Sequence, residues 1–313
     1  MAIADENQTI EAQPVEPEAA AKTRAQWLQD RRSGIGASEA AAALGESPFK
    51  SPWELYAEKT GSIEPPDLSD KLYVRLGQVM ERGVGEIWAE QTGREIEFWP
   101  QTEVLRHADR PHVLCTPDAF QFHPDRGRGS VSIKTTDERF LKDWERDGIP
   151  LAYQIQNQQE LAITGLQWGT LAVAFGRRTL KSFEYDRNDR FIAVLLAKLD
   201  DFWRMIETKT PPAIDWTEGC GRALAALYPQ DSGETVQLPA EAEEWDATLV
   251  AAKERIKEAE KTAAECENRL KAAIGIATFG RFQNGGGYSW KQQTRKAHEV
   301  KESTFRVLRR LSK

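Results

Sequence analysis

Three short stretches decide the expected fold: Thr116-Pro-Asp118, Val131-Ser-Ile-Lys-Thr135 and Tyr153-Gln-Ile-Gln-Asn-Gln158. The first two belong to apolar β-strands, and the third belongs to a helix that Pro150 opens. Because side chains at positions i and i+2 of a strand share a face, Ser132 and Lys134 point the same way. If the two strands pair in register as a hairpin, that face lies beside Asp118. The pattern therefore predicts that a carboxylate and an ammonium group meet at the strand ends.

An acid and a lysine at adjoining strand ends are typical of a metal-dependent nuclease. Magnesium is usually held by one or two carboxylates together with water and phosphate oxygens. A lysine can hold or help deprotonate the attacking water and can stabilise charge on the phosphate. Glu81, four residues after Gly77 on a long predicted helix, is a candidate for a further acid. An ordinary hairpin with a turn aspartate and a surface lysine is the alternative that these residues leave open.

Further polar residues are candidates for binding the substrate. Tyr153 and Gln156 lie three apart on one helix face, and Gln158 belongs to a polar run, 154–160, whose simpler interpretation is a solvated helix face. Ser38 can cap the alanine-rich helix that follows it, or it can hold a phosphate. Arg31 belongs to a basic cluster with Arg32 that can contact phosphate, although such arginines are more often solvated surface.

Composition narrows the class of protein. The 313 residues, 40% of them hydrophobic, can bury one large core or a core with an appendage. No apolar run reaches the length of roughly 20 residues that a membrane span needs. Residues 1–22 are acidic and lack the basic start of a signal peptide, which predicts a disordered tail. The three cysteines are far apart and form no CxxC pair, so a zinc site is not expected. The same pattern predicts a reducing, cytoplasmic setting.

The net charge of −7 does not argue against nucleic acid as a partner. Residues 1–21 carry five acids and no bases, and residues 241–273 carry nine acids and six bases, which leaves +1 for the rest of the chain. A nearly neutral body with local basic clusters can still bind a phosphate backbone.

The order of predicted elements is helices, sheet, helix, sheet, helix, which favours an α/β core with a central mixed β-sheet flanked by helices. One long helix is expected at 69–92, with its buried face formed by Leu72, Leu76, Val79, Gly83 and Ile87. We expect a core at 23–215, a linker at 216–240, a heptad helix at 241–274, and a β-hairpin with a basic helix at 275–313. The heptad helix shows a 4-3-4-3 spacing from Trp245 to Leu270, which indicates a coiled-coil-like partner within this chain or in another subunit.

An ordered set of short motifs, each weak alone, resembles the YqaJ-like viral recombinase family, in the lambda-exonuclease branch of the PD-(D/E)xK nuclease superfamily. The motifs cover about residues 24–210 and are Trp27 with Arg31, Gly34-Ile-Gly-Ala-Ser38, Ser47-Pro-Phe49, Lys59-Thr-Gly61, Gly77-x-x-x-Glu81, Thr116-Pro-Asp118, Ile133-Lys-Thr135, and Tyr153-x-x-Gln156-x-Gln158 with Leu161-Ala-Ile-Thr-Gly165. The glycine-rich strand segment with Ser289-Trp-Lys291 is similar to the C-terminal extension of phage members.

The resemblance implies a restriction-endonuclease-like core and Mg²⁺- or Mn²⁺-dependent hydrolysis of DNA, with 5′-to-3′ resection of duplex ends for recombination in a bacterial host cell. Carried over by position, Asp118 is the principal metal ligand, Glu81 a further acidic ligand and Lys134 the catalytic lysine. Tyr153 and Gln156 orient the substrate or the lysine, and Ser38 binds phosphate, with Arg31 and Gln158 as further DNA-binding candidates. The implied partners are double-stranded DNA ends, a single-strand annealing protein and other copies of the chain, as in toroidal trimers.

The chain departs from the family pattern at Ser132, where the family has a glutamate two residues before the lysine. Three interpretations remain open: another acid substitutes, with Asp137, Glu138 and Glu103 as candidates; the chain binds DNA without cutting it; or the site is weak and selects a different metal. The competing functions are thus an Mg²⁺-dependent exonuclease, a catalytically inactive relative that binds DNA ends or a partner protein, and a coiled-coil assembly protein. Restoration of activity by Ser132→Glu would show that only the missing ligand separates the first two of these functions.

Overall fold

The chain was analysed as a computed structural model that describes residues 31–68 and 70–294, with positions 302, 306–308 and 310. The acidic tail predicted for 1–22 lies outside the described residues, as does most of the basic helix predicted at the C-terminus. The chain divides into two compact units, one ending at Tyr228 and one beginning at Pro229. In the part of the chain that is described, no helix combines the length and the apolar character that a membrane crossing requires.

The strands and helices follow one another in both units. The strands are β1 (Ile35–Gly36), β2 (Glu95–Phe98), β3 (Leu105–Arg106), β4 (Val113–Cys115), β5 (Ala119–His123), β6 (Gly127–Thr136), β7 (Trp168–Phe175), β8 (Thr179–Asp186), β9 (Phe279–Arg281) and β10 (Gly287–Ser289). The helices are α1 (Ala37–Ala43), α2 (Pro52–Lys59), α3 (Leu72–Thr92), α4 (Leu141–Asp147), α5 (Leu151–Thr164), α6 (Asp189–Glu207), α7 (Glu218–Leu227) and α8 (Ala242–Ile274).

The central sheet of the first unit has the strand order β2-β5-β6-β7-β8. Strands β6 and β7 run parallel, whereas the other neighbouring pairs are antiparallel, so the sheet is mixed as predicted. Helix α5 lies in the connection between β6 and β7, because parallel neighbours need a crossover rather than a tight turn. The predicted α/β class, with a central mixed sheet flanked by helices, is confirmed.

One predicted pairing was wrong. The strand that ends before Asp118 does not pair with β6; β4 lies in a separate sheet, where it runs parallel to β1 and antiparallel to β3. The partner of β6 is β5, which begins directly after Asp118 and pairs Ala119 with Val131. Pro117 and Asp118 therefore mark the passage from one sheet to the other. Asp118 still comes to lie beside β6, at the start of its neighbour.

Helix α3 packs on the sheet with a different face from the one predicted. Its buried residues are Val84, Gly85 and Trp88, whereas Leu72 and Val79 are 70% and 78% exposed. The helix approaches closely at Gly85, where a Cβ atom would lie 2.8 Å from Ile133 Cδ1 and 2.9 Å from the Phe98 ring. Because positions i, i+3, i+4 and i+7 share a helix face, Glu81 lies on the same side as Val84, Gly85 and Trp88, and so turns toward the sheet.

Helix α5 is held against the small sheet by a buried glutamine. Gln159 Nε2 donates to the carbonyl oxygens of Ile35 (2.9 Å) and Leu114 (2.8 Å), which belong to β1 and β4. On the neighbouring face, Ile155 joins an apolar cluster that includes Leu55 of α2 and Leu199 of α6. These contacts fix the rotation of α5 and so determine which of its polar side chains face β6.

The second unit consists of the long helix α8 and an antiparallel hairpin. Strands β9 and β10 pair through Gly280 and Tyr288, and Phe282 packs edge-on against Tyr288 with the ring centroids 5.8 Å apart. Residues of the heptad seam on α8 are exposed, with Trp245 at 62% and Ile256 at 58%. The hairpin agrees with the prediction, and the role of the seam stays a prediction.

Candidate active site

Asp118 is held in place by the strand beside it. Its Oδ2 atom accepts a hydrogen bond of 2.7 Å from the backbone N–H of Ile133 in β6. The same oxygen lies 3.5 Å from Lys134 Nζ. The sequence places the carboxylate after Pro117 at a sheet-to-sheet passage, and the strand register brings the lysine to it. The structure thus brings Asp118 and Lys134 together.

The side chain of Ser132 is fully buried and faces helix α5. Its hydroxyl lies 3.1 Å from Glu160 Oε2 and 3.1 Å from Asn157 Oδ1. A hydroxyl has one proton to donate, and Asn157 Nδ2 has no hydrogen-bond partner among the described residues. With the Asn157 amide turned by 180°, its N–H would donate to Ser132 and leave the serine proton for Glu160.

Glu160 is a residue of this site that the sequence interpretation missed. It is only 2% exposed, although the polar run 154–160 was interpreted as a possible solvated face. Besides Ser132, its carboxylate accepts a hydrogen bond of 2.9 Å from Gln156 Nε2, one helical turn earlier. The i, i+4 spacing of Gln156 and Glu160 was the available signal, because both then share a face with Tyr153 at i−3.

Asp118, Lys134, Gln156 and Glu160 line one cleft of about 160 Å³. The remaining lining residues come from the start of α1, from β4 and the residue after it, and from two loops: Arg31, Gly36, Ala37, Ser38, Gln101, Val104, Leu114, Cys115 and Thr116. The cleft thus opens where the two sheets adjoin and is bounded by helix α5.

Glu81 approaches the cleft from helix α3. Gln101, one of the lining residues, donates a 3.0 Å hydrogen bond from Nε2 to Glu81 Oε1. Burial raises the pKa of Glu81 to about 7, and the negative charge of Asp118 adds to the rise, while Lys134 opposes it. The charges of Asp118 and Lys134 are therefore close enough to influence Glu81, as the predicted convergence of these residues requires.

The acids of the cleft disfavour one another's ionisation. Burial raises the pKa of Glu160 to about 7, and the charge of Asp118 adds to this effect. Burial opposes the charge of Lys134, but Asp118 and Glu160 outweigh it and raise the pKa of the ammonium group. Carboxylates that repel one another around a single lysine form a site of net negative charge, which a cation would stabilise.

Arg31 and Ser38 lie together at one side of the cleft. Arg31 Nη2 donates to Ser38 Oγ at 3.1 Å. Ser38 does not cap α1 as predicted, because the helix already begins at Ala37 and the Glu39 carboxylate accepts from the Gly36 N–H at 2.9 Å. Glu39 also accepts from Lys59 Nζ at 2.8 Å. A guanidinium group and the hydroxyl that it contacts thus line the same cleft as Asp118 and Lys134.

Tyr153 and Gln158 lie outside the lining of the cleft. Tyr153 packs against Trp144 with ring centroids 5.4 Å apart, although its phenol is close enough to raise the pKa of Lys134, behind the larger effects of burial, Asp118 and Glu160. Gln158 donates to the Asp186 carbonyl at 2.8 Å and accepts from the Asn188 N–H at 2.9 Å. These two bonds give Gln158 a structural role, tying α5 to the connection between β8 and α6.

The acids proposed to replace a glutamate at 132 lie elsewhere. Asp137 accepts a hydrogen bond of 2.9 Å from the Arg139 N–H and so caps a short 3₁₀ turn. Glu138 packs against Gly176, with its Cβ 3.2 Å from the position of an added methyl group. Neither these two nor Glu103 is among the residues that line the cleft. The acid that does reach Ser132 is Glu160.

The donor set of the cleft fits a divalent cation of the magnesium type. Its carboxylates and neighbouring carbonyls are hard oxygen donors, and magnesium usually takes one or two carboxylates and keeps several waters. Within the described residues, no three His, Cys, Asp or Glu side chains come close enough to hold an ion by themselves. Asp118 and Glu160 would hold the ion as a pair, with Glu81 beyond them on the side of Gln101.

The chain is similar to known proteins in sequence and in structure. Over 266 residues the chain is 27% identical to the uncharacterized protein YqaJ of Bacillus subtilis (strain 168), with 84% of this chain and 82% of that protein covered. An alkaline exonuclease from Laribacter hongkongensis shares a TM-score of 0.49 at 19% identity, covering 59% of this chain and 93% of its own. A phage-related exonuclease from Haemophilus somnus 129PT shares a TM-score of 0.40 at 12% identity, covering 56% and 94%. The segment 26–167, which contains Asp118, Lys134 and Glu160, matches the family of YqaJ-like viral recombinase domains.

Proposed function

We propose that the chain is a metal-dependent deoxyribonuclease that resects linear duplex DNA, as a 5′-to-3′ exonuclease in phage-type recombination. The observation that carries the proposal is the convergence of Asp118, Lys134 and Glu160 in one cleft. Arg31 and Ser38 stand beside them as the phosphate-binding candidates. The match of residues 26–167 to the YqaJ-like viral recombinase domain supports the choice of DNA as the substrate.

The residues divide the work of hydrolysis between them. The reaction adds the hydroxyl of one water to phosphorus, breaks the P–O bond to one sugar oxygen and leaves the other proton of the water on that oxygen. Lys134 can hold the attacking water and stabilise charge on the phosphate through its N–H donors. Asp118, fixed by the Ile133 N–H, supplies an oriented carboxylate. A bound Mg²⁺ would supply Lewis-acid stabilisation of the phosphate charge.

The proposal is tested by incubating end-labelled linear duplex DNA with the purified protein and Mg²⁺ or Mn²⁺. We expect nucleotide release that starts at 5′ ends, stops with EDTA and spares closed circular DNA. Asp118→Asn and Lys134→Met should each lower the rate by about three orders of magnitude or more, because each removes charge that organises the transition state.

Matched controls come from helix α6. Asp201 forms an exposed ion pair with Arg204 at 2.9 Å, and Lys198 is exposed. Asp201→Asn and Lys198→Met should therefore leave the rate unchanged. Release that persists in Asp118→Asn and Lys134→Met, or no release in either metal by the unmodified protein, contradicts the proposal.

The alternative is a relative that binds DNA ends or a partner protein without cleavage, and Ser132 is the observation that favours it. DNA binding with no release in either metal would identify that function. We further propose that the enzyme works with a single-strand annealing protein and as a homo-oligomer. Co-elution of a candidate annealing protein with the purified chain on size-exclusion chromatography tests the first of these partners.

A further inference from the structure

An acidic side chain without an assigned role lines the cleft. Only 2% of the Glu160 surface is exposed. Its Oε2 atom accepts a hydrogen bond of 3.1 Å from the Ser132 hydroxyl, and its Oε1 atom accepts one of 2.9 Å from Gln156 Nε2. Both of those partners are neutral. Burying a carboxylate among neutral partners is costly, and a glutamine of nearly the same shape would fill this position without that cost. A purely structural explanation therefore leaves the charge unexplained.

The location of Glu160 relates it to the departure at position 132. Ser132 and Lys134 share a face of β6, but the fully buried serine is not among the residues that line the cleft. The Glu160 carboxylate comes from α5 and occupies the space directly in front of that hydroxyl. A glutamate at position 132 would have to enter the same space. A small residue on the strand and an acid on the helix are thus complementary: each fits because of the other.

Glu160 also has the right neighbours for a ligand of a cation. It lines the same cleft as Asp118 and Lys134. Gln156 and Ser132 each donate to one of its oxygens, which leaves a lone pair on each oxygen for an ion, since a carboxylate accepts at about four sites. Such hydrogen bonds to a ligating carboxylate orient it for the metal.

Resting on the proposed nuclease function, we propose that Glu160 is the second cation-binding carboxylate of this site, supplied by helix α5 in place of strand β6. Ser132 and Gln156 are its positioning residues. On this assignment the serine does not attenuate the site. It makes room for the acid.

The test uses the full chain and measures Mn²⁺ binding by electron paramagnetic resonance and calorimetry without DNA, alongside nuclease rates. Glu160→Gln keeps the size of the side chain and removes its charge. We expect it to weaken Mn²⁺ binding by at least about tenfold and to lower the nuclease rate by about three orders of magnitude, with the thermal midpoint preserved. Glu138→Gln, at an acid two residues beyond the end of β6 and outside the lining of the cleft, should change neither quantity.

The exchange of the two residues is the more specific arm. Ser132→Glu alone should not improve either quantity, because it places a second carboxylate against Glu160. The double variant Ser132→Glu/Glu160→Ser should recover Mn²⁺ binding to within about tenfold of the unmodified protein. A remaining loss of that size is typical when the hydrogen-bonding partners that orient a ligating carboxylate are changed. Recovery in the double variant together with loss in Glu160→Gln supports the proposal even if nuclease activity returns only in part.

Several outcomes would overturn it. The proposal is wrong if the folded Glu160→Gln variant binds Mn²⁺ and cleaves DNA as well as the unmodified protein. It is also wrong if Ser132→Glu alone increases both Mn²⁺ binding and the nuclease rate. If Asp118→Asn abolishes cleavage and Glu160→Gln does not, only the role of Glu160 fails and the nuclease function stands. If the unmodified protein neither binds Mn²⁺ nor releases nucleotides, both proposals fail together.

Discussion

At the scale of single residues, the contact between Ser132 and Glu160 is what changes the interpretation of the site. The sequence allowed Asp118 and Lys134 to be predicted together, because a strand's alternation and a short connection decide their positions locally. Glu160 could not be found in this way. It meets Ser132 across 28 residues of chain, and this contact depends on the rotation of α5 that Gln159 sets through two strands. Ser132→Glu alone is therefore not expected to improve activity, and the informative substitution is the double variant Ser132→Glu/Glu160→Ser.

Glu39 illustrates a residue whose charge contributes to stability. Burial opposes its ionisation, but the charges of Lys59 and Arg31 outweigh this and hold the pKa of Glu39 below its ordinary value of 4.5. Lys59 is itself only 5% exposed. The carboxylate of Glu39 therefore keeps a buried ammonium group from being left without a counter-charge.

Glu39→Gln should lower the free energy of unfolding by about 3 kcal/mol at pH 7, since it leaves the buried Lys59 ammonium group without its counter-charge. A carboxyl group with a depressed folded-state pKa stabilises the protein above its unfolded pKa, and this stability is lost as pH falls through the folded value. The difference between the variant and the unmodified protein should thus be largest at neutral pH and shrink below pH 4.5. Urea unfolding at several pH values measures it, and a difference that grows toward acid would contradict the account.

At the scale of elements, the helices were predicted better than their contacts. The sequence predicts one helix from Pro150 to about Thr164 and another over 188–208. Helices α5 and α6 begin and end within about two residues of these limits, because Pro150, Gly165 and Asn188 give clear signals there. Helix α3 was placed correctly but given the wrong buried face. Its longest apolar stripe stays exposed, and Gly85 decides the packing because only a residue without a side chain allows Phe98 and Ile133 so close. The spacing of apolar residues shows that a helix is amphipathic, but it does not show which face of the helix packs against the sheet.

The close approach at Gly85 gives a test of this packing. Gly85→Ala would place a methyl group 2.8 Å from Ile133 Cδ1, and such overpacking costs about 1–3 kcal/mol. Gly83→Ala on the same helix meets nothing within 4 Å and should stabilise the protein by about 0.5–1 kcal/mol through helix propensity alone. Chemical denaturation of both variants checks the pair. Equal effects of the two substitutions would mean that α3 does not contact the sheet at Gly85.

At the scale of the whole molecule, the distribution of charge separates a nearly neutral body from two acidic segments. Residues 1–21 and 241–273 together carry a charge of −8, so the remaining residues carry +1 within a total of −7. A total charge alone would suggest a protein that avoids DNA. Screening limits the reach of distant charges to about 10 Å at ordinary salt, so the placement of Arg31 in the lining of the cleft matters more for a bound phosphate than the total charge does.

The exposed seam of α8 leads to a prediction about assembly. Leu249 and Ile256 on the seam are 43% and 58% exposed, and three of the eight seam positions from Trp245 to Leu270 are alanines, which suits a closely approaching partner helix. Ile256→Asp should therefore lower the mass measured by light scattering. Ala251→Asp adds the same charge outside the seam and should leave the mass unchanged. An unaltered mass in both variants would exclude the seam as a subunit contact.

The central claim is that Asp118 and Glu160 form the cation-binding pair of a DNA-cleaving site. The most direct measurement is the anomalous difference map of crystals grown with Mn²⁺ and a short DNA duplex. We predict a peak in the cleft with carboxylate oxygens of Asp118 and Glu160 both at about 2.1 Å, the distance typical of a small hard cation, and with a phosphate oxygen beside Lys134. A peak bound by Asp118 without Glu160, or no peak in the cleft, would contradict the account.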